Sequence, residues 1–206
     1  MSVATRRRLT SPAGHPVTAE LSVGAVPRWR PLVAWLLAVP HYLVIGVLTN
    51  WLVPLGGLAT FLAVVLTGRV PRRLFGAMVA MLRYQWRVAT YLLWMRPAYP
   101  PFELSPVAVD PGGDPARLTV AKPEGLRRLL PLVKWLLALP QLVLAPLVGL
   151  AAAVVAVGGF VAVLLNGCWP AGLLAFEVGT LRWWLKVEAY LLLLTDSYPP
   201  LLPSVS

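Results

Sequence analysis

The amino-acid sequence predicts an all-α integral membrane protein built from two tandem repeats. Hydrophobic residues make up 58% of the chain and charged residues only 13%, and the mean hydropathy is +0.73. Ordinary soluble domains carry roughly 25% charged residues. Two long blocks, residues 31–68 and 135–176, contain no Asp, Glu, Lys or Arg. We therefore expect both blocks to be embedded in a bilayer.

The duplication is visible in two short phrases. The sequence PLVAWLLAVP at 31–40 returns as PLVKWLLALP at 131–140, and YPP at 99–101 returns at 198–200. Such internal similarity indicates repeated structural units. We divide the chain into a disordered basic N-terminal tail at 1–14, a first membrane repeat at 15–102, a linker at 103–116 and a second membrane repeat at 117–201.

Each repeat is expected to contain a short strand, a hydrophobic helical hairpin and an amphipathic interfacial helix. PVTAELSV alternates apolar and polar residues, and ARLTVAK does so more weakly, as strands do. The block at 31–68 is too long for one crossing helix, and breaker residues between Thr49 and Gly57 predict a turn. In the second repeat we expect the turn near Gly149. The hairpins either cross the bilayer, which is the favoured interpretation, or enter and leave it from one face.

The amphipathic helix of the first repeat is predicted over residues 72–95, with arginines on one face and apolar residues on the other. Arg83 and Arg87 would cost about 2.5–3.5 kcal/mol each at the bilayer centre, so we expect this helix to lie in the interface. Its basic ridge either anchors the helix or binds anionic lipid headgroups. The residues predicted for headgroup binding are Arg72, Arg73, Arg83, Arg87, Arg182 and Lys186.

Two further features of these helices carry predictions. Glu177, on the equivalent helix of the second repeat, is expected to pair with Arg83 or Arg87. Pro40 and Pro140 fall inside the first apolar helix of each repeat, where proline bends a helix. The residues that follow them, His41 and Gln141, place a polar side chain at membrane depth in both repeats. A kink with an interhelical hydrogen bond is the simpler interpretation, and a hinge or ligand site is the alternative.

The first repeat resembles the domain of unknown function 4389, a family of bacterial membrane proteins. The segments that carry the resemblance are HPVTAELSV, RWRPLVAWLLAVPHYLV, LTGRVPRRLFG, LRYQWRVATYLL and YPPF. The second repeat departs from this pattern, since Cys168, Ala171 and Gly172 stand where the first repeat has arginine. The resemblance implies a membrane fold and implies no activity.

The charge distribution predicts location and partners. Lys and Arg total 18 against 8 Asp and Glu, a net charge of +10, and the basic residues flank the apolar blocks. This pattern is typical of cytoplasmic flanks, and no nucleic-acid-binding module accompanies it. We expect a multi-pass protein of the bacterial inner membrane with cytoplasmic N- and C-termini. Its partners would be membrane lipids with anionic headgroups, and a membrane protein or a second copy, but no nucleic acid.

The sequence also bears on the class of function. It contains no nucleophile motif, metal-ligand spacing or glycine-rich phosphate loop, and the single Cys168 cannot form an internal disulfide. We therefore expect no enzyme activity, no metal and no cofactor. The two repeats should be parallel about an axis along the membrane normal. Organisation of membrane or partner proteins is the expected role, with small-molecule or lipid transport between the repeats and membrane-curvature shaping as alternatives.

Overall fold

The computed structural model describes residues 7–10 and 14–204, without the side chains of Arg7 and Arg8. In this part of the chain the fold is mostly helical, with one small sheet. The helices are α1 (Arg30–Leu37), α2 (Val39–Val47), α3 (Val53–Thr67), α4 (Arg72–Leu92), α5 (Leu130–Leu137), α6 (Leu139–Asn166) and α7 (Ala171–Leu191). A π-helical turn, Leu48–Leu52, joins α2 to α3. The strands are β1 (Arg7–Leu9), β2 (Val17–Val23) and β3 (Ala116–Val120).

The strands form an antiparallel sheet in the order β1-β2-β3. Alternate residues of β2 and β3 are buried, as their alternating sequences predicted. The strand predicted in each repeat is therefore confirmed, and the pairing of these strands into a sheet corrects the all-α class. Strand β1 also corrects the prediction of a disordered tail at residues 7–9, while residues 1–6 and 11–13 of that tail lie outside the described part of the chain.

The hydrophobic hairpin predicted inside each uncharged block is wrong. Val39–Thr67 runs as one helix through the π-helical turn, and α6 continues unbroken past Gly149. Pro54 does not break the first of these helices, because it directly follows the π-helical turn, where the α-helical hydrogen-bond pattern is already interrupted. Both helices, which we call the long helices, end at a left-handed glycine cap, Gly68 or Gly167. By length and apolar composition, both could cross a membrane.

Pro40 and Pro140 mark the junction between two helices. The first helix of each repeat ends at Ala38 or Ala138, where the backbone remains close to helical, with φ/ψ of −87°/−3° and −81°/−8°. Each proline therefore lies in the first turn of the next helix. At this place a proline removes no intrahelical hydrogen bond.

The molecule has three layers, in which α4 and α7 lie between the sheet and the long helices. Strand β3 packs on α4 and β2 on α7, while α3 packs on α4 and α6 on α7. The first long helix runs antiparallel to α4, since His41 contacts Tyr84 and a Cβ on Gly56 would touch Met78. Helix α4 is therefore buried inside the protein, and the prediction that it lies in the membrane interface is wrong.

The strands are exchanged between the repeats. Strand β2, from the first repeat, packs on α7 of the second, and β3 packs on α4 of the first. The carbonyls of Ala19 and Leu118 accept equivalent hydrogen bonds, from Arg182 of α7 and Arg83 of α4, and the two residues face each other in the β2–β3 ladder. The pair therefore marks a local twofold relation through the sheet. Two backbone hydrogen bonds also connect the repeats in both directions. They run from Val26 N–H to Gly167 O at 2.9 Å and from Leu126 N–H to Gly68 O at 2.8 Å.

Candidate functional site: two buried cation pairs and a basic junction

Arg83 and Arg87 of α4 are buried beneath the linker, with 2% and 0% of their surface exposed. The Arg83 Nε lies 3.0 Å from Asp110 Oδ2, and the Arg87 Nη2 lies 3.3 Å from the other oxygen of the same carboxylate. The Arg87 Nη1 lies 2.8 Å from Glu103 Oε2. The expectation that these arginines face water and headgroups is therefore wrong, because the acidic linker folds over them.

The linker is held in place by further hydrogen bonds to its acids. The Asp110 carboxylate accepts hydrogen bonds from the backbone N–H groups of Leu118 and Gly112, at 3.1 and 2.9 Å. Asp114, also in the linker, forms an ion pair with Arg96 close to the end of α4. The Arg87 hydrogen bond, followed by that from the Ser105 hydroxyl, holds the pKa of Glu103 below its ordinary value. This first cation pair is therefore a neutralised, structural element.

Arg182 and Lys186 of α7 occupy the equivalent positions in the second repeat and are also buried, at 3% and 7% exposure. The Arg182 Nε donates to Ala19 O at 3.0 Å, as Arg83 Nε donates to the equivalent Leu118 O at 3.2 Å. The similarity ends there, because neither α7 cation has an ion pair among the residues that the structure describes. The Arg182 Nη2 is buried without a hydrogen-bond partner.

Glu177 is not the partner of the α4 arginines, and the predicted pairing is wrong. The residue is 4% exposed, and its Oε2 is buried without a hydrogen-bond partner. Burial raises the pKa of this carboxyl to about 7. Asp110 and Glu103 already neutralise Arg83 and Arg87, so these cations are not free to attract it.

Arg72 and Arg73 are exposed and belong to a different group from the buried cations. The hydrogen bond from Leu126 to Gly68 brings the end of the first long helix next to the start of α5. The exposed arginines of these two segments form what we call the basic junction: Arg69, Arg72, Arg73, Arg127 and Arg128. At the twofold-related junction, Arg28 is the only counterpart that keeps its charge. Sequence reasoning missed the grouping because 69–73 and 127–128 are distant in the chain.

His41 and Gln141 are buried, but each is enclosed by its own repeat. The His41 Nδ1 hydrogen-bonds with the Tyr84 hydroxyl, and its ring stacks on Phe102 at 4.3 Å between centroids. The Gln141 Nε2 donates to Pro199 O at 3.2 Å, and its Oε1 accepts a hydrogen bond from Tyr198 at 2.6 Å. The structure therefore gives these side chains packing roles within each repeat and does not join them into one site between the repeats.

An apolar groove of about 540 Å³ lies between α3, α5 and the end of α7. Glu188 lines it, together with Phe61, Trp135 and neighbouring apolar residues. Burial raises the pKa of Glu188, and a hydrogen bond with Gln85 acts in the opposite direction. No cluster of three or more metal-ligating side chains occurs in the described residues.

The fold and these contacts define a mostly helical protein of two tandem copies, with two helices long and apolar enough to span a membrane. The family described as Domain of unknown function (DUF4389) matches the chain twice, over residues 29–103 and 129–202, and the chain belongs to this family. This confirms both the resemblance and the duplication predicted from the sequence. No curated protein and no solved structure matches the chain.

Proposed function

We propose that the protein is a non-enzymatic organiser of membrane lipids or partner proteins. In this proposal it attaches to the cytoplasmic face of a bacterial inner membrane, with the long helices in the lipid and both termini in the cytoplasm. The observation that carries the proposal is a continuous exposed stripe of apolar side chains along each long helix. The stripes are Leu43, Val47, Trp51, Leu55, Leu58, Leu62 and Leu66, and Val143, Leu147, Leu150, Val154, Val157, Val161 and Leu165.

The stripes support insertion into lipid because of their size and regularity. Their members recur every three or four residues, so each stripe is one face of a helix. The first long helix has 29 residues, a length of about 43 Å. Soluble monomers rarely expose apolar patches larger than a few hundred Å². A bilayer is the environment in which two such stripes are stable.

The layered fold favours long helices that lie along the bilayer surface over helices that cross it. Helix α4 runs beside the first long helix, and the sheet and linker cover the middle of α4 through Arg83 and Arg87. A crossing helix would place this sheet, its edges and the acids of the linker at the depth of the hydrocarbon. Polar backbone and charged groups are strongly disfavoured there. With the helices in the surface plane, only the stripes enter the lipid.

The basic junction supports attachment to anionic lipids. Its five arginines are exposed and have no ion pair in the described part of the chain. Each cation near an anionic surface contributes about 1 kcal/mol, and the contribution is screened by salt. The arginines would add electrostatic attraction to the apolar attachment.

Vesicle flotation of the purified protein tests the attachment. Replacing Leu55 and Val154 together by Glu puts two charges on the exposed stripes without touching the core. We expect the vesicle-bound fraction to fall at least tenfold, because each charge costs about 2.5–3.5 kcal/mol at hydrocarbon depth and less nearer the interface. Val109→Glu, on the exposed linker, is the matched control and should leave binding unchanged. A double variant that binds as well as the wild type would contradict the proposal.

Curvature shaping is the second candidate, and the twofold relation favours it. The relation passes through the sheet at Ala19 and Leu118, so the two long helices lie at the same depth below it. Two helices inserted at the same depth would increase the area of one leaflet only. Incubation with vesicles of uniform size should then yield smaller vesicles or tubules by electron microscopy. Vesicles that keep their diameter at saturating protein would remove this candidate and leave the attachment standing.

A further inference from the structure

A group of three basic side chains lies on the sheet side of α7. The group consists of Arg182, Lys186 and His15, which we call the α7 cation cluster, and two of its N–H groups are buried without an acceptor. Arg182 is held in place through its Nε by Ala19 O, while its Nη2 is buried and has no partner. The Nε2 of His15 is likewise buried without a partner. Lys186 lies one helical turn after Arg182, on the face of α7 that packs on β2. Burial and then the charge of Lys186 lower the pKa of His15, which precedes β2.

The state of His15 is fixed by its other ring nitrogen. The backbone N–H of Val17 donates to His15 Nδ1 at 3.1 Å. A neutral imidazole that accepts at Nδ1 carries its proton on Nε2. The unpartnered Nε2 is therefore an N–H donor, like the unpartnered Arg182 Nη2.

The first repeat shows what this cluster lacks. Arg83 and Arg87 are neutralised by two carboxylates, those of Asp110 and Glu103. The equivalent α7 cations form no ion pair with any of the eight acidic residues of the chain, all of which lie in the described part. A buried cation without a counter-charge is costly. The protein thus retains two charges in the second repeat without the two carboxylates that balance them in the first.

Glu20 is the acid that comes nearest to balancing the charges of Arg182 and Lys186. Its charge raises the pKa of Arg182, against the larger lowering caused by burial. However, Glu20 alternates with the buried residues of β2 and lies opposite Arg117 of β3 in the ladder. It forms no ion pair with Arg182 in the described structure. The cluster therefore still needs an anion from outside.

We infer that the α7 cation cluster binds one phosphate group, either inorganic phosphate or the phosphate of a monoester. A phosphate monoester carries a charge of about −1.5 to −2 at pH 7 and three strong acceptor oxygens. Its charge matches the two cations that lack a counter-charge, and its oxygens can accept from the two unpartnered N–H groups and from Lys186. A guanidinium fork suits phosphate geometry particularly well. The inference does not depend on membrane attachment, because the cluster lies on the sheet side of the protein.

Calorimetric titration of the full-length protein in detergent with inorganic phosphate tests the inference. Sodium chloride at matched ionic strength is the blank. We expect saturable binding of one phosphate per chain and a rise in the melting temperature. Arg182→Gln and Lys186→Gln should each weaken binding at least tenfold. Arg28→Gln, which removes an exposed cation beside Gly167 at the end of the second long helix, should change the Kd less than twofold.

A second arm identifies the source of the phosphate. Nanodiscs containing phosphatidic acid present a monoester headgroup, and nanodiscs with phosphatidylglycerol present a diester of lower charge. Binding that is confined to phosphatidic acid and lost in Arg182→Gln would assign the site to a lipid headgroup. Binding of free phosphate would assign it to a soluble ligand.

Two outcomes would overturn the inference. One is the absence of saturable wild-type binding in both arms, and the other is binding that survives both glutamine substitutions. If either variant elutes as an aggregate in size-exclusion chromatography, His15→Phe replaces it, since phenylalanine keeps a ring and removes the Nε2 donor. Wild-type affinity in a folded His15→Phe variant would then overturn the inference equally.

Discussion

The α4 and α7 helices show how two copies of one sequence can keep a fold and lose its charge balance. Both place two cations against the exchanged strand, and in both the first arginine donates to the strand carbonyl at the twofold-related position. Only α4 is covered by the linker, whose acids neutralise Arg83 and Arg87. The hydrogen bond from arginine to the strand carbonyl is therefore common to both repeats, whereas the counter-charges come only from the linker that covers α4. The comparison separates a neutralised cation pair from a buried pair that lacks counter-charges.

The largest expected effect comes from removing the acid that neutralises α4. Asp110→Asn keeps the shape of the side chain but leaves Arg83 and Arg87 with less counter-charge in a buried site. We expect the free energy of unfolding to fall by about 3–5 kcal/mol, measured by chemical denaturation in detergent. Glu20→Gln, which removes an acid opposite the exposed Arg117, should cost under about 1 kcal/mol. Equal losses in the two variants would break the distinction between the repeats.

Gly76 distinguishes the same two helices, because it lies where α4 contacts the linker. A Cβ on Gly76 would lie 2.0 Å from the backbone oxygen of Pro106, so Gly76→Ala must displace the linker. We expect a loss of about 3 kcal/mol from this overpacking. The equivalent residue in α7 is Ala175, and Ala175→Gly should cost only about 1 kcal/mol through helix propensity. A neutral Gly76→Ala would show that the linker does not pack on α4 as described.

Glu177 predicts a pH dependence that α4 lacks, because Met78 occupies the equivalent position. Its pKa is raised from 4.5 to about 7 in the folded protein. Since the unfolded chain gives up this proton at lower pH, ionisation destabilises the fold progressively as the pH rises from 4.5 through 7. At pH 8, Glu177→Gln should be more stable than the wild type by an amount on the order of 2 kcal/mol, and at pH 4 the difference should nearly vanish. Denaturation curves at the two pH values measure this difference in the free energy of unfolding. A difference that is the same at pH 4 and pH 8 would contradict the burial of Glu177.

The smallest predicted difference concerns the two tyrosines of the repeated YPP motif. The Tyr99 hydroxyl lies 3.0 Å from Leu37 O, whereas the Tyr198 hydroxyl lies near both Leu137 O and Gln141 Oε1. Tyr99→Phe should cost about 0.5 kcal/mol and Tyr198→Phe about 1.5 kcal/mol, as read from thermal unfolding. The reverse order would mean that the Gln141 contact adds nothing.

Much of the fold could be predicted from the sequence where the signal is local. The duplication follows from repeated phrases, and β2 and β3 follow from alternating residues. The prediction of a hairpin turn was wrong because Pro54 and Gly56 have other structural roles. Pro54 follows a π-helical turn within a continuous helix, and Gly56 lets Met78 approach closely. Proline and glycine in an apolar segment therefore do not by themselves establish a turn, since a π-helical turn and a close helix contact account for both residues.

The candidate sites were harder to predict, because they depend on contacts between distant segments. The polar face of α4 was real, but amphipathicity does not reveal whether water, lipid or protein covers that face. Here the acidic linker covers it, although Pro, Gly and Asp in that segment indicated only a surface loop. The presence of acids in the linker and arginines in α4 was the available signal. In the second repeat, α7 has cations at the equivalent positions but no acidic linker follows it, so its cations could be expected to lack counter-charges.

The orientation of the long helices is the central claim, and the depth of spin labels along one stripe tests it most directly. Cysteine replaces Leu43, Leu55 or Leu66, one at a time, in a Cys168→Ser background, and each labelled protein is reconstituted into vesicles. Collision rates with oxygen and with a water-soluble nickel complex report the depth of each label. Helices that lie along the surface predict similar depths at all three positions, about 5–10 Å below the headgroups. A label at Leu55 near the bilayer centre, with Leu43 and Leu66 close to opposite surfaces, would contradict the account.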